Sequence, residues 1–386
     1  MKKIARIFKF LFTLKWTWRK PAKCDVLIYD YVGSETLKPL FDAGCRVEVL
    51  CVRGETLNII VLFSLLWMRA FWKREIRLSY AVCYINYVKP KLVITHIDNS
   101  EIFYDLSNKI SDTKTGFVQN GTRGIVADIF EVIEVNSGYH VDFMFVHGEE
   151  IGNLYSNYIK GEVIPVGSVK NNVKPYLFNR SEKKNIAFIS QWFPSMQDDF
   201  FIKTNDYSIS HEKFYLAESI VLSFLSEWCE KNEYELTILG REVLENTKNQ
   251  EYNFFKSLIK NKFIFFSRSE ILNSYDVIDQ FEFITGIDST LVFESLARGN
   301  KTAAFTIRGS LLGIDGANFG WPKLTEDTGP FWTNRADLLD FKKIMDYLRD
   351  VSDQDWSAVC SDSMKNIMVY DCDNIIIKER LRQIIE

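Results

Sequence analysis

Residues 283–301 read FITGIDSTLVFESLARGNK, and they hold the most suggestive chemistry in the chain. The pattern is a short apolar strand, a polar turn and a helix closed by Gly299. Ser289 and Thr290 fall where the helix begins. Hydroxyls at that place either cap free backbone N–H groups or, together with those groups, hold an anion. Glu294 lies one turn further in, on a face able to meet a ribose. A buried strand, Lys301 to Ile307, follows at once. An ordinary capped helix of an α/β domain would share every one of these features.

Other polar turns also follow expected strands. Gln191-Trp192-Phe193-Pro194 runs toward Asp198 and Asp199, and Gly240-Arg241-Glu242 follows a strand at Glu235 to Leu239. Arg241, placed after a glycine, suits bidentate contact with a phosphate or carboxylate. Asp98-Asn99, Gln119-Asn120-Gly121-Thr122-Arg123-Gly124 and His147-Gly148-Glu149-Glu150 follow strands in the first half. Glu149, at a strand end facing a cleft, can act as acid or base. Asp198 and Asp199 are either a catalytic carboxylate pair or solvated loop charge. Asp98, Asn120 and Arg123 are substrate-contact candidates, although Asp98 can equally cap the next helix and Arg123 can pair with Asp128.

The elements that must position these turns alternate along the chain. The first half reads as strands at Asp25–Tyr29, Arg46–Val52, Lys91–Thr95, Thr115–Gln119, Asp142–Val146 and Glu162–Val166. Helices are expected at Glu35–Ala43, Leu57–Leu78, Tyr80–Val88 and Ser100–Ile110. The second half repeats the style from Asn185 onward, with a long helix at His211–Asn232. This order implies α/β architecture: two doubly wound, Rossmann-like parallel domains facing across a cleft. In such sheets, ligands bind outside the C-terminal ends of the strands. The expected boundaries are 1–23 for a basic amphipathic segment, 24–175 for an acceptor-side domain, 185–360 for a donor-side domain and 361–386 for a C-terminal helix reaching back. Residues 171–184, polar and basic, read as the linker.

At 386 residues, with 47% hydrophobic and 25% charged residues, the chain can bury two cores. Residues 1–23 hold eight basic side chains and no acidic one; removing that +8 from the net −4 leaves −12 on the body. An acidic body is a poor general nucleic-acid binder. The seven cysteines contain no CxxC pair, which suits a reducing cytosol and argues against a disulfide framework or structural zinc. Phosphate-loop, GxGxxG, HExxH and Gly-x-Ser-x-Gly motifs are missing. The two Asp-x-Asp pairs, Asp353/Asp355 and Asp371/Asp373, fall in the C-terminal region. No metal and no cofactor are therefore expected. Met1 to Trp18 interleaves basic residues with Phe and Trp, too short and too charged to span a bilayer. It reads as an amphipathic helix on an anionic membrane surface, the alternative being a helix packed on the protein's own body.

Taken together, several motifs resemble bacterial surface-carbohydrate transferases of the GT-B type. They are Arg53-Gly54-Glu55, Asp98-Asn99, the Gln119 to Gly124 turn, His211 to Tyr215, Leu239-Gly240-Arg241 and Ser289-Thr290-Leu291 with Glu294. Asn318 to Pro322 and Gly329 to Thr333 complete the set. Within that group the chain looks most similar to retaining β-Kdo transferases of lipopolysaccharide O-antigen synthesis. The resemblance spans about residues 25 to 345. It implies a CMP-Kdo donor and a lipid-linked glycan acceptor at the inner face of the cytoplasmic membrane. It also implies a double displacement through a carboxylate nucleophile. Asp198 or Asp199 would then be the nucleophile and Glu149 the acid/base. Gln191, Ser289, Thr290 and Glu294 would hold the donor, and Arg241 or Arg123 would neutralise its phosphate or the Kdo carboxylate. The chain lacks the His-Pro pair that many CMP-sugar transferases carry, so UDP- and GDP-sugars stay open. So do a GT-B-like UDP-sugar epimerase and an inactive glycan-binding scaffold.

Overall fold

The computed structural model describes residues 15–53, 56–67, 76–124, 128–135, 137–175, 184–194, 200–203, 208–268, 273–323 and 326–386. Fifteen strands are introduced in chain order: β1 Lys15–Thr17, β2 Val26–Tyr29, β3 Val47–Leu50, β4 Thr56–Asn58, β5 Leu92–Thr95, β6 Lys114–Val118, β7 Tyr139–Val146, β8 Ile159–Pro165, β9 Asn185–Ile189, β10 Phe200–Lys203, β11 Ser208–Ser210, β12 Glu235–Leu239, β13 Ile264–Phe266, β14 Phe283–Gly286 and β15 Thr302–Ala304.

Two parallel sheets organise the molecule. The first has the order β3-β2-β5-β6-β7-β8 and the second β13-β12-β9-β14-β15. Val26–Tyr29, Leu92–Thr95 and Phe283–Gly286 are buried along their whole length, because helices cover both faces. That is why these strands read as apolar runs rather than alternating patterns. In both sheets the order in which the chain adds strands reverses beside a central strand, between β2 and β5 and between β9 and β14. Crevices open at such points.

One core cluster fills the second half, around Phe188, Phe255, Phe283, Phe305, Phe341 and Trp356. The first sheet is packed on one face by the helix Ile76–Val88 and its neighbours. Its other face is closed by the last helix, Ile375–Ile385, whose Ile377 and Leu381 pack with Val26, Ile28 and Ile94. Arg380 pairs with Glu162, and Arg382 with Asp42, along the same contact.

Several expectations change. Residues 1–14 of the expected N-terminal helix lie outside the described residues, and its described end is strand: β1 pairs in parallel with β4. Asn58 explains the arrangement. Its Nδ2 donates to the Arg19 carbonyl, while its Oδ1 accepts from the N–H groups of Ile60 and Val61 at the start of the helix Ile59–Trp67. The helix expected over Leu57–Leu78 thus begins after a strand. A helix not foreseen, Glu149–Ser156, follows β7. The long helix kinks at Tyr215, giving His211–Phe214 and Leu216–Asn232.

The expected linker is not a solvated spacer at its start, because Asn171 and Asn172 are fully buried. Asn171 donates to the Glu294 carbonyl and accepts from Arg298, and Asn172 bonds Val166 and Asn374. Among the described residues, no helix is long and apolar enough to cross a membrane.

Candidate functional site

The cleft is built from the turns at the C-terminal edge of the second sheet. β14 ends at Gly286, where an added Cβ would lie 2.5 Å from Val292 Cγ2, so glycine lets the next helix start close against the strand. That helix, Thr290–Ala297, is capped by Ser289, whose Oγ accepts from the Leu291 N–H at 3.3 Å.

Two further turns are fixed by one residue, Glu251. Its buried carboxylate accepts from Ser190 Oγ after β9 and from the N–H groups of Arg241 and Glu242 after β12, the last two at 2.9 Å. Burial pushes this carboxyl up, and the three hydrogen bonds oppose the rise. The Arg241 guanidinium carbon lies over the Phe193 ring, 3.3 Å from its centroid. Arg268, just past β13, donates to Ser274 Oγ.

Arg241, Arg268, Gln191, Ser289 and Thr290 together line a cavity of about 300 Å³. Among the described residues, no carboxylate forms an ion pair with either guanidinium. Burial lowers Arg241, and an anion in the cavity would act in the opposite direction. Two cations beside a helix N-terminus make a site for negative charge.

A cavity of about 790 Å³ shares Arg241, Arg268, Ser289 and Thr290 and adds Asn120, Lys170, Glu294 and Lys378. A third, of about 230 Å³, lies between the halves. Its walls include Arg123 and His147 from the first half and Phe214, Asp288, Phe293 and Trp321 from the second. His147 and His96 are buried, and burial pushes them down to about 3 and about 4, so both rings are neutral at pH 7. Trp321 lines the cleft, whereas Trp332 packs on Phe319.

The expected site residues therefore divide. Gln191, Arg241, Ser289 and Thr290 come together on one cavity wall. Thr290 also meets the first half, accepting from the Thr122 N–H at 3.0 Å. Glu294 lines the large cavity, but its carboxylate accepts from Ser168 and Tyr275, and burial raises it. Its first partners are therefore protein hydroxyls rather than a ribose.

Asp98, expected as a substrate contact, instead spends its carboxylate on partners within the protein. It is fully buried and bidentate to Arg123, and Tyr155 Oη donates to it at 2.6 Å. Burial alone would raise its carboxyl, but the Arg123 charge and these hydrogen bonds hold it below the ordinary value. Arg123 is in turn neutralised, and it also donates to Asn120 Oδ1, which leaves it a poor receptor for a second anion. Asn120 keeps a place on the cavity wall.

Glu149 is exposed at the start of its helix and lines none of the three cavities. Asp198 and Asp199 lie outside the described residues.

Four residues escaped the sequence reading. Arg268, Glu251, Glu218 and Arg308 had no local signal beyond being charged residues near strand ends or in helices. The C-terminal Asp-x-Asp pairs are structural. Asp355 bonds the helix cap Ser352, and Asp371 accepts from the N–H groups of Ile375 and Ile376. Among the described residues, no cluster of His, Cys, Asp and Glu could hold a metal ion.

Residues 116–385 match the profile of a family described as "putative O-antigen biosynthesis protein". No curated protein matches the chain in sequence. Among solved structures, a glycosyltransferase from Rickettsia africae is similar at a TM-score of 0.55 and 11% identity, over 94% of this chain and 98% of that one. A UDP-GlcNAc 2-epimerase from Neisseria meningitidis, bound to UDP-GlcNAc, is similar at 0.50 and 12%, over 93% and 99%. These likenesses identify the architecture as GT-B, two Rossmann-like domains facing one another.

Proposed function

The chain belongs to this O-antigen biosynthesis family, and from that premise we propose that it is a glycosyltransferase using a nucleotide-sugar donor. One observation carries the reading. Two guanidiniums, Arg241 and Arg268, face the capped N-terminus of Thr290–Ala297 across a single cavity, with no carboxylate of the described residues paired to either. A phosphate there gains charge-assisted hydrogen bonds and the helix field together, and a leaving phosphate is stabilised by the same groups.

CMP-Kdo is the donor we propose first, on the sequence resemblance. It carries two anionic groups, a phosphodiester and a carboxylate, to match two guanidiniums. The diphosphate of a UDP- or GDP-sugar supplies two as well and is the direct competitor. Transfer with retention requires a carboxylate nucleophile, a role we propose for Asp198 or Asp199, which follow the Gln191 to Pro194 turn in the chain.

We further propose that the acceptor is lipid-linked and that the enzyme meets it at the membrane surface. Trp16 and Trp18 are exposed, 37% and 71%, and Phe63 is exposed at 64%. Lys15, Arg19, Lys20 and Lys23 accompany the tryptophans, and aromatic side chains with cations suit an anionic interface.

Calorimetric titration of the full chain with CMP, UDP and GDP tests the donor reading. Selective binding of CMP supports CMP-Kdo, and selective binding of UDP or GDP replaces the donor. The reading fails if none binds.

A further inference from the structure

Among the described residues, Asp288 is the one carboxylate on the walls of the 300 Å³ and 230 Å³ cavities. It precedes the cap Ser289 and lines both the 300 Å³ cavity with the guanidiniums and the 230 Å³ cavity with Phe214, Phe293 and Trp321. Its side chain is 21% exposed, so part of it faces the junction of the two.

Behind it stands a buried support. Arg308 Nε donates to Asp288 Oδ2 at 2.8 Å, and Nη2 lies 3.4 Å from Oδ1. The same guanidinium donates to Glu218 at 2.8 and 3.3 Å and to the Phe214 carbonyl. It also sits over the Phe214 ring, 3.9 Å from its centroid. Arg308 and Glu218 are 3% and 1% exposed. Burial opposes the Arg308 charge, but Asp288 and Glu218 outweigh it, so the guanidinium stays cationic. Arg308 begins the helix Arg308–Leu312, and Glu218 lies in the first turn of Leu216–Asn232. Asp288 is therefore held by packed helices, not by its loop alone.

A carboxylate beside an anion site repels the anion, and this one is braced to stay there. Its free acceptor capacity suits neutral donors, above all hydroxyl groups. The adjoining cavity offers aromatic faces, which suit the C–H face of a sugar ring. Asp288, on the wall of both cavities, lies within the path of a sugar whose phosphate sits at Arg241 and Arg268.

We propose that Asp288 recognises the transferred sugar by accepting hydrogen bonds from its ring hydroxyls, with Arg308 and Glu218 as positioning residues. This inference rests on the donor reading above. It requires any carboxylate of the sugar to point away from Asp288.

The test compares nucleotide with nucleotide sugar in calorimetric titrations of the full chain, using the pairs UDP and UDP-GlcNAc, and CMP and CMP-Kdo. The wild type is expected to bind one sugar nucleotide more tightly than its parent nucleotide. Asp288→Asn keeps the shape and is expected to lose about tenfold of that gain, the worth of one hydrogen bond to a charged group, while parent-nucleotide affinity holds or rises because a negative charge beside the anion cavity is removed. Glu218→Gln, tested alongside, is expected to lose part of the gain, and it carries the test if Asp288→Asn does not fold.

A gain that survives in Asp288→Asn overturns the inference alone. So does a variant that weakens nucleotide and sugar nucleotide equally, since that marks a structural role. If the wild type binds the nucleotides but gains nothing from either sugar, the inference fails while the donor site stands. If it binds no nucleotide, the donor reading fails first and this one with it.

Discussion

Thr122 and Thr290 meet across the cleft, the Thr122 N–H donating to Thr290 Oγ1 at 3.0 Å with the two hydroxyl oxygens 3.1 Å apart. Thr122 lies in the turn after β6 of the first sheet, and Thr290 opens the helix that faces the anion cavity. The halves thus touch beside the proposed phosphate position. Thr290→Val keeps the side-chain shape and removes both bonds. We expect nucleotide affinity to fall about threefold to tenfold, with a stability loss of about 1 kcal/mol. Calorimetric titration and thermal unfolding read the two effects separately, and unchanged affinity would detach this contact from ligand binding.

Arg241 and Arg268 should not be interchangeable with lysine. Arg241→Ala and Arg268→Ala are each expected to weaken nucleotide binding by about tenfold or more. Arg241→Lys should restore little, because the close contact with the Phe193 ring and bidentate binding both use the guanidinium. Recovery of full affinity in Arg241→Lys would mean that only charge matters at this position.

Glu251 has no contact with any proposed ligand, yet three donors depend on it. Glu251→Ala leaves buried donors unpaired and should destabilise the fold by about 3 kcal/mol. Chemical denaturation measures this directly. A loss below about 0.5 kcal/mol would show that the loops after β9 and β12 find other partners.

Acid should weaken the first half. His96 and His147 are held far below the ordinary histidine value, at about 4 and about 3, by burial. The unfolded chain protonates both near pH 6.5, while the folded chain does not. Their contribution is therefore complete above pH 6.5 and is lost as pH falls from there toward 4 and 3, at about 1.4 kcal/mol per pH unit for each ring. Thermal midpoints between pH 7 and pH 4.5 should fall accordingly, and His147→Gln should flatten the slope. An equal slope in wild type and variant would refute the assignment of His147.

Membrane attachment is testable with vesicles. Sedimentation with liposomes containing phosphatidylglycerol should capture the wild type at low salt and release it as salt rises. Replacing Trp16 and Trp18 together with Ala should reduce capture several-fold. Equal capture by neutral and anionic vesicles would argue against the basic segment as the cause.

Strands and the turns after them were readable from sequence because parallel strands are apolar throughout and their C-terminal ends face the ligand side. Gln191, Arg241, Ser289 and Thr290 were singled out that way, and they share one cavity wall. Pairing partners were not readable. Asp98 lies 25 residues from Arg123 and 57 from Tyr155, and Ser168 lies 126 from Glu294. A charged residue after a strand looks the same whether it faces solvent or a buried partner. Only tertiary contact distinguishes Asp98, consumed by its neighbours, from Asp288, left with a face in the cleft. The described end of the N-terminal segment differs for a related reason. Its aromatic and basic mixture suggests helix, but residues Lys15–Thr17 pair with β4 as a strand.

The last helix completes the first half's core, with Ile377 and Leu381 against Val26 and Ile28. During synthesis, the first sheet therefore emerges with one face covered only in part, by Leu37, Leu40 and their neighbours, and must wait for the whole second half before that face is closed. The amino-terminal half is not an independent vectorial folding unit, and expressed alone it should be sticky and prone to aggregate. Ligand-driven movement meets the same constraint. The polypeptide passes between the halves once on leaving and once on returning, so any opening is a rotation about a double tether.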